Sequence, residues 1–312
     1  MEQQLVTVCI ITYNHENFIR QAIDGVLMQK TNFPFDIIVA DDCSKDATTE
    51  ILKEYQQKFP EKIKLILQQK NVGAAKNFVE LISAPHSKYI AYFDGDDYWI
   101  SENKLQKQID FLEANKNYSL CYHHCNVINY LHYLNVQDIR KKNYTFSFVS
   151  SLYSKNGFSV STVYRTEDFN IKQYEEIIRG ALIGDWPMEL LLLAQGKKGY
   201  FMAETMGVYR DHAEGATKKN FLAKDEYYER RLAICEKFRG ITKYNRALNF
   251  FMGELYLHLS LHKKNGRFAC FVKGAGLVLF NMHFQKRKNT NLSLQAYLGF
   301  LFKRIKSAFN FF

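Results

Sequence analysis

Val6-Thr7-Val8-Cys9-Ile10-Ile11-Thr12 is a short apolar, largely β-branched run, and Tyr13-Asn14-His15-Glu16-Asn17 follows it as a turn. β-branched side chains are stiff at χ1 and pack well on a pleated surface, so the run reads as a buried strand. Beyond the turn, Phe18, Ile19, Ala22, Ile23, Val26 and Leu27 recur at the spacing of a helix with one apolar face. The same unit then repeats. Residues 35–40 form a second strand ending in Asp41-Asp42, and Ser44-Lys45-Asp46 leads into a helix through Ile51, Leu52 and Tyr55. Residues 63–67 and 89–93 read as third and fourth strands, with a helix over 75–82 between them. Strands alternating with helices at this interval predict an α/β fold, a Rossmann-like and mostly parallel sheet flanked by helices. Past Trp99 the alternation loosens. Helices are expected over 104–112 and 190–194, strands over 119–128, 158–165 and 199–208, and long helices over 221–262 and 268–284.

The 312 residues suffice for one large α/β domain of roughly 200–250 residues with an appendage. Hydrophobic residues at 47% and charged residues at 24% exclude a disordered chain. The six cysteines (Cys9, Cys43, Cys121, Cys125, Cys235, Cys270) lack the spacing of a disulfide scaffold, and several sit inside apolar runs. A reducing, cytoplasmic compartment is expected. Residues 1–5 have no secretory leader pattern, and the longest apolar stretch, 268–284, is interrupted by Lys273 and falls short of a membrane span. The net charge of +10 is uneven: residues 215–312 carry 19 Lys and Arg against 5 Asp and Glu. The basic character therefore belongs to the C-terminal third.

In a parallel α/β sheet, ligands gather at the carboxyl ends of the strands. Three of the four strands end in polar clusters: Thr12-Tyr13-Asn14, Asp41-Asp42-Cys43-Ser44 and Asp94-Gly95-Asp96-Asp97. A carboxylate at one strand end commonly caps the next helix, but so many converging on one crevice would repel one another without a shared cation. Asp94-Gly95-Asp96-Asp97 offers oxygen ligands suited to Mn²⁺ or Mg²⁺, and Gly95 lets backbone approach a ligand. Such an ion holds a diphosphate and neutralises it as a leaving group.

These three strand ends, read in order as residues 8–16, 40–48 and 93–99, resemble bacterial family 2 glycosyltransferases over about residues 5–215. The resemblance implies a GT-A fold and an inverting transfer of a sugar, from a UDP-sugar foremost, to a glycan or lipid-linked acceptor in surface polysaccharide synthesis. It implies that Thr12 and Tyr13 line the nucleotide pocket, that Asp42, with Asp41 beside it, reads the base, and that Lys76 is the basic residue near the nucleotide. Asp94 then contacts the ribose and Asp96 the metal, with Asp97 the neighbouring candidate because the doubled acid leaves two registers. Gly184-Asp185-Trp186-Pro187 is similar to the segment carrying the catalytic base, which makes Asp185 the base; relatives often carry a Glu where Gly184 stands. Tyr209-Arg210-Asp211-His212 resembles a late Tyr-Arg-x-His motif, so that Arg210 anchors phosphate or acceptor and His212 reaches the metal. Ser161 and Thr162 match a stretch that lines the acceptor side.

Cys121-Tyr122-His123-His124-Cys125 is too tightly spaced for a zinc site; strand alternation explains it. Residues 216–312 form a helical, basic appendage to the catalytic domain of residues 1–215. Within it Leu294, Leu298, Leu301, Ile305, Phe309 and Phe312 recur at helical spacing among Lys303, Arg304 and Lys306, downstream of Lys286-Arg287-Lys288. That pattern suits an anionic membrane surface, and would hold the enzyme peripherally at the inner face of the cell membrane. The competing pattern is a helix packed on the catalytic domain. No nucleic-acid motif accompanies the charge. A non-catalytic glycan-binding or scaffold subunit on the same fold would be favoured by loss of the acids or the base, and both are present. Nucleotidyl transfer would need a Gly-rich basic loop after the first strand, and Thr12-Tyr13-Asn14-His15-Glu16 is not one.

Overall fold

The computed structural model describes residues 5–129, 142–154, 156–179, 184–212, 223–262 and 266–281. The C-terminal pattern at 286–312 lies outside them. The chain divides into two compact units, Met1–Asn220 and Phe221–Phe312.

The first unit is a mixed α/β sheet with flanking helices. Its parallel part is β1 (Val6–Thr12), β2 (Phe35–Asp41), β3 (Ile63–Leu67) and β4 (Tyr89–Asp94), in spatial order β3-β2-β1-β4. The connecting helices are α1 (Ile19–Leu27), α2 (Thr48–Lys58) and α3 (Ala74–Ser83). Apolar runs become strands here because both faces of the sheet are covered. Val6, Val8 and Ile10 pack with Ile19, Ile23 and Val26 of α1 on one face, while on the other the Phe78 ring of α3 lies 5.0 Å from that of Tyr92.

The sheet continues through mixed additions that the sequence outlines less sharply, antiparallel except where β6 and β9 run parallel. A short β5 (Tyr98–Trp99), α4 (Lys104–Ala114), β6 (Tyr118–Asn129), β7 (Tyr144–Phe146), α5 (Phe148–Tyr153), β8 (Thr162–Arg165), α6 (Ile171–Ile178), α7 (Asp185–Leu193) and β9 (Lys198–Asp211) follow in the chain. Beyond β4 the order is β8-β6-β9-β5, with β7 also paired to β9. β9 runs three residues past the expected Val208, because β6 runs alongside it: Val127 pairs with Tyr209, Ile128 with Arg210 and Asn129 with Asp211, while β5 pairs only as far as Val208. Tyr209, Arg210 and Asp211 therefore belong to the strand rather than following it.

β5 is pinned by Trp99, which is buried against Phe93 at 5.0 Å and donates from Nε1 to Val160 O at 2.8 Å. From the other side α1 presents Gly25, where a Cβ would lie 2.9 Å from Trp99 O and 3.0 Å from Trp99 N. Only a glycine lets helix and strand approach so closely.

In the second unit the stretch expected as one helix is two, α8 (Lys224–Lys237) and α9 (Asn245–His262), separated by Gly240 at φ +80°. α9 meets α10 (Arg267–Asn281) at Gly253 and Gly274, where a Cβ on either would lie 2.8–2.9 Å from the other's carbonyl oxygen. No helix among the described residues is long and apolar enough to cross a membrane.

Replacing Gly25 with valine is expected to cost about 1–3 kcal/mol by overpacking against backbone that cannot yield. Gly276→Ala, where a new Cβ meets nothing within 4 Å, should cost nothing. Urea unfolding followed by tryptophan fluorescence separates the two; equal midpoints would remove the Gly25–Trp99 contact as the constraint on β5.

Candidate active site

The strand order turns at β1, with β2 and β3 on one side and β4 on the other, so the crevice between the carboxyl ends of β1 and β4 is the topological switch point. Gly95 closes β4 there by donating to Ile11 O at 2.8 Å; a Cβ on Gly95 would fall 3.0 Å from Thr12 Oγ1. Thr12 Oγ1 is buried with no hydrogen-bond partner. A hydroxyl left unpaired at a switch point suits a polar ligand group.

One rim of the crevice is three loops laced by side-chain-to-backbone bonds. Asn14 (φ +56°) donates from its amide to Ser44 Oγ and accepts at Oδ1 from Lys45 N, both at 2.8 Å. Glu16 N donates to Asp46 Oδ2 at 3.0 Å, and Glu16 Oε2 accepts from Ala47 N at 2.9 Å. Asp41 accepts from the hydroxyls of Ser44 and Thr49. Asp42 receives Val72 N at 2.7 Å and Gly73 N at 3.0 Å, drawing the β3–α3 loop inward. The repulsion expected among the strand-end acids is thus relieved locally for these two, without a cation. Asp42 retains lone pairs for a further donor. Tyr13 is exposed nearby, whereas Lys76, on the first turn of α3, is exposed and lies 3.8 Å from Glu80.

The other acids do cluster. Asp94 Oδ2 accepts from Ser159 Oγ at 2.6 Å. Asp97 is wholly buried; its Oδ1 accepts from Arg210 N at 2.8 Å and its Oδ2 has no partner. Burial, reinforced by the charges of Asp96 and Asp94, pushes the Asp97 carboxyl well above the usual range, against the pull of Arg210. Asp96 turns to the crevice, with Oδ2 2.9 Å from His212 Nε2 and 3.8 Å from His15 Nε2. Burial opposes its ionisation, but the hydrogen bond to His212 and attraction to both imidazoles outweigh it and hold the group below the usual range. His15 is itself held low by burial, with Asp96 opposing, and its Nδ1 is a third buried atom without a partner here. Arg210 is clamped: its guanidinium donates to Asp96 O and Gln21 Oε1 and stacks 4.3 Å from the Tyr98 ring centroid. Sequence reading missed His15 as a member of this group, although it stands in the quoted first turn.

As these side chains stand, no three His, Cys, Asp or Glu among the described residues are arranged to hold a metal ion. The donor set nevertheless fits a cation of the Mn²⁺ or Mg²⁺ kind. Such ions are commonly held by one or two protein ligands and completed by substrate phosphates, and Asp96 with His212 supplies that number. Cys121, His123 and Cys125 are buried together in β6, and all six cysteines are free of disulfides.

Asp185 is the first residue of α7 and is exposed; its Oδ1 accepts from Tyr92 OH at 2.8 Å. Tyr92 stands two residues before Asp94 on the same face of β4, so the helix end is tied to the strand that carries the acids. One turn further, Glu189 is buried and accepts from Tyr122 OH at 2.9 Å and Asn156 Nδ2 at 2.6 Å. Burial pushes its carboxyl up to about 6, the hydrogen bonds from Ser151, Asn156 and Tyr122 opposing. The one sequence signal for Glu189 was an acid four residues after Asp185 in a leucine-rich helix. Ser161 and Thr162, expected on the acceptor side, are buried and bond Phe158 O, so their hydroxyls are used internally.

The sequence profile described as "Glycosyl transferase family 2" matches residues 7–164. An uncharacterized protein of Mycobacterium tuberculosis is 30% identical over 298 residues, covering 93% of this chain and 83% of its own length. TuaG of Bacillus subtilis, described as a putative teichuronic acid biosynthesis glycosyltransferase, is 34% identical over 35% of this chain and 42% of its own. Among solved structures, Staphylococcus aureus TarS with UDP-GlcNAc superposes at TM-score 0.61 and 15% identity, over 88% of this chain and 79% of that one. The mannosyltransferase PcManGT of Pyrobaculum calidifontis, with GDP-Man and Mn²⁺, superposes at TM-score 0.54 and 14% identity, over the whole of this chain and 89% of that one.

A carboxyl raised from 4.5 to about 6 in the folded protein binds its proton more tightly there than in the unfolded chain. Its stabilising contribution is therefore full below about pH 4.5 and lost as pH rises through about 6, by roughly 2 kcal/mol. The unfolding free energy of the wild type minus that of Glu189→Gln should fall by about that amount from pH 4 to pH 7.5. A pH-independent difference would mean that Glu189 titrates in the folded protein as it does in the unfolded chain.

Proposed function

The chain belongs to glycosyl transferase family 2, and from that premise we propose that it is an inverting, metal-dependent glycosyltransferase. It moves a sugar from a nucleotide-sugar, a UDP-sugar foremost, to a hydroxyl of a glycan or lipid-linked acceptor in surface polysaccharide synthesis. One contact carries this more than any other: the Tyr92 hydroxyl on Asp185, which holds a solvent-facing carboxylate beside the strand that ends in Asp94-Gly95-Asp96-Asp97.

Asp185 is the base. With Oδ1 accepting from Tyr92, Oδ2 is left to take the acceptor's proton as its oxygen attacks the anomeric carbon and the bond to the diphosphate breaks. Asp185 stands in the first turn of α7, at the positive end of that helix. On the donor side, Thr12, Tyr13, Asp41, Asp42 and Lys76 frame the nucleotide; the orphan hydroxyl of Thr12 and the free lone pairs of Asp42 support a donor group arriving there. Asp94, steadied by Ser159, meets the ribose. Asp96 and His212 hold the divalent ion, while Asp97, buried and paired with the Arg210 amide, backs them from within. The ion, when bound, supplies positive charge to the departing diphosphate. Arg210 adds a second, fixed positive charge to the same end of the crevice.

The experiment is calorimetry with UDP, GDP and TDP, each with Mn²⁺ and with chelator, on wild type and two variants. Wild type is expected to bind one nucleotide in a metal-dependent way, and Asp96→Ala to lose that dependence. Asp185→Asn should bind as tightly as wild type but transfer slower by about 10²–10⁴-fold. Unchanged Mn²⁺-dependent affinity in Asp96→Ala would remove the metal assignment, full turnover by Asp185→Asn would remove the base, and no nucleotide binding at all would point to a glycan-binding subunit.

A further inference from the structure

The large apolar side chains most exposed to solvent among the described residues are on one helix. Phe280 is 93% exposed, Phe268 67%, Leu279 55% and Val272 52%, all on α10, and no other exceeds 44%. At 100° per residue Phe268, Leu279, Val272, Gly276, Ala269 and Phe280 fill one continuous arc of about 120°. Opposite it, Gly274 and Val278 are buried against α9. A helix on the surface of a water-soluble protein carries polar residues on its outward face; α10 is apolar on both. Lys273 stands at the edge of the arc, with Nζ 4.5 Å from the Tyr256 ring centroid, and the helix carries no acidic residue.

We propose that this arc of α10 seats the protein on an anionic lipid surface, with the helix axis in the plane of the interface. Charge complementarity selects that occupant over an apolar protein partner. From residue 255 to the end the sequence carries ten Lys and Arg and no Asp or Glu, and two of them, Arg267 and Lys273, stand on α10 itself. Apolar side chains entering the acyl boundary and lysines meeting anionic headgroups are the two contributions that together hold an interfacial helix. The helix is 15 residues and does not need to span; it lies on the surface. The inference stands apart from the transferase reading and fails separately from it, since no residue assigned to the donor or the metal lies on α10.

The test is flotation of the full chain with vesicles of phosphatidylcholine containing phosphatidylglycerol, and with phosphatidylcholine alone. Wild type is expected to float with the anionic vesicles only, and less at high salt. The double variant Phe268→Glu with Phe280→Glu, both at exposed positions and so compatible with the fold, should lose partitioning by at least about tenfold. Its circular dichroism, melting temperature and nucleotide calorimetry should match wild type, and Phe268→Leu with Phe280→Leu should float. Failure of wild type to float, or equal flotation of the Glu variant, would overturn the proposal. So would light scattering that finds a wild-type dimer and a monomeric Glu variant, which would make the arc a contact between two copies of this chain.

Discussion

The hydrogen bond from the Arg210 amide to Asp97 joins positions 113 residues apart and decides which way two adjacent acids face. β9 is held by β6 on one side and by the two residues of β5 on the other, so the amide arrives as part of a sheet rather than from a loop. With Asp97 drawn inward, the turn through Gly95 leaves Asp96 toward the crevice, within reach of His15 and of His212, which follows β9 directly. Everything that gives the site its charge follows from this. Loosening β5, by crowding Gly25 or by emptying the Trp99 pocket, would release the acids even though neither residue touches them.

Burial then gives the neighbouring acids different chemistry. Asp97 has one partnered oxygen and one orphan, and its surroundings favour the neutral form. Asp96 has imidazoles and some access to water, and favours the charged form. Two adjacent ionised carboxylates would repel one another; a protonated inner acid removes that repulsion and leaves one anion at the crevice. Asp185 and Glu189, one turn apart on α7, repeat the division: the exposed member at the helix start is bonded to Tyr92, and the buried member is raised by its surroundings. In each pair it is the buried acid whose surroundings favour the neutral form.

The parallel half of the sheet was legible because runs such as 6–12 and 35–40 are apolar on both faces, and a two-sided core leaves little else they can be. The polar residues closing those strands were legible for the same reason: they interrupt the run where the chain leaves the core. What the sequence concealed depends on partners far along the chain. The extension of β9 to Asp211 exists because β6 holds it, and nothing within 209–211 signals that pairing. Glu189 was hidden among leucines, since a lone acid in an apolar helix shows its meaning only when Tyr122 and Asn156 are seen to meet it. The pattern 221–262 kept helical spacing across Gly240, whose positive φ divides it in two. Asp41 and Asp42 looked like unpaired charge because their donors, the Thr49 hydroxyl and the amides of Val72 and Gly73, carry no charge to notice.

Those neutral donors also determine what kind of pocket the crevice is. Loops that order on binding subtract the cost of ordering from affinity, at about 1–2 kcal/mol for each residue fixed. Here the loops after β1, β2 and β3 are already tied to one another through Asn14, Glu16, Asp42 and Asp46, each using a side chain to hold another loop's backbone. Three of the buried side-chain atoms without a partner, Thr12 Oγ1, His15 Nδ1 and Asp97 Oδ2, belong to the segments that close β1 and β4. Loops already tied to one another in this way have little left to rearrange when a ligand arrives. The polar demand of those three atoms falls at the mouth of β1 and β4, where a diphosphate with its cation would meet it.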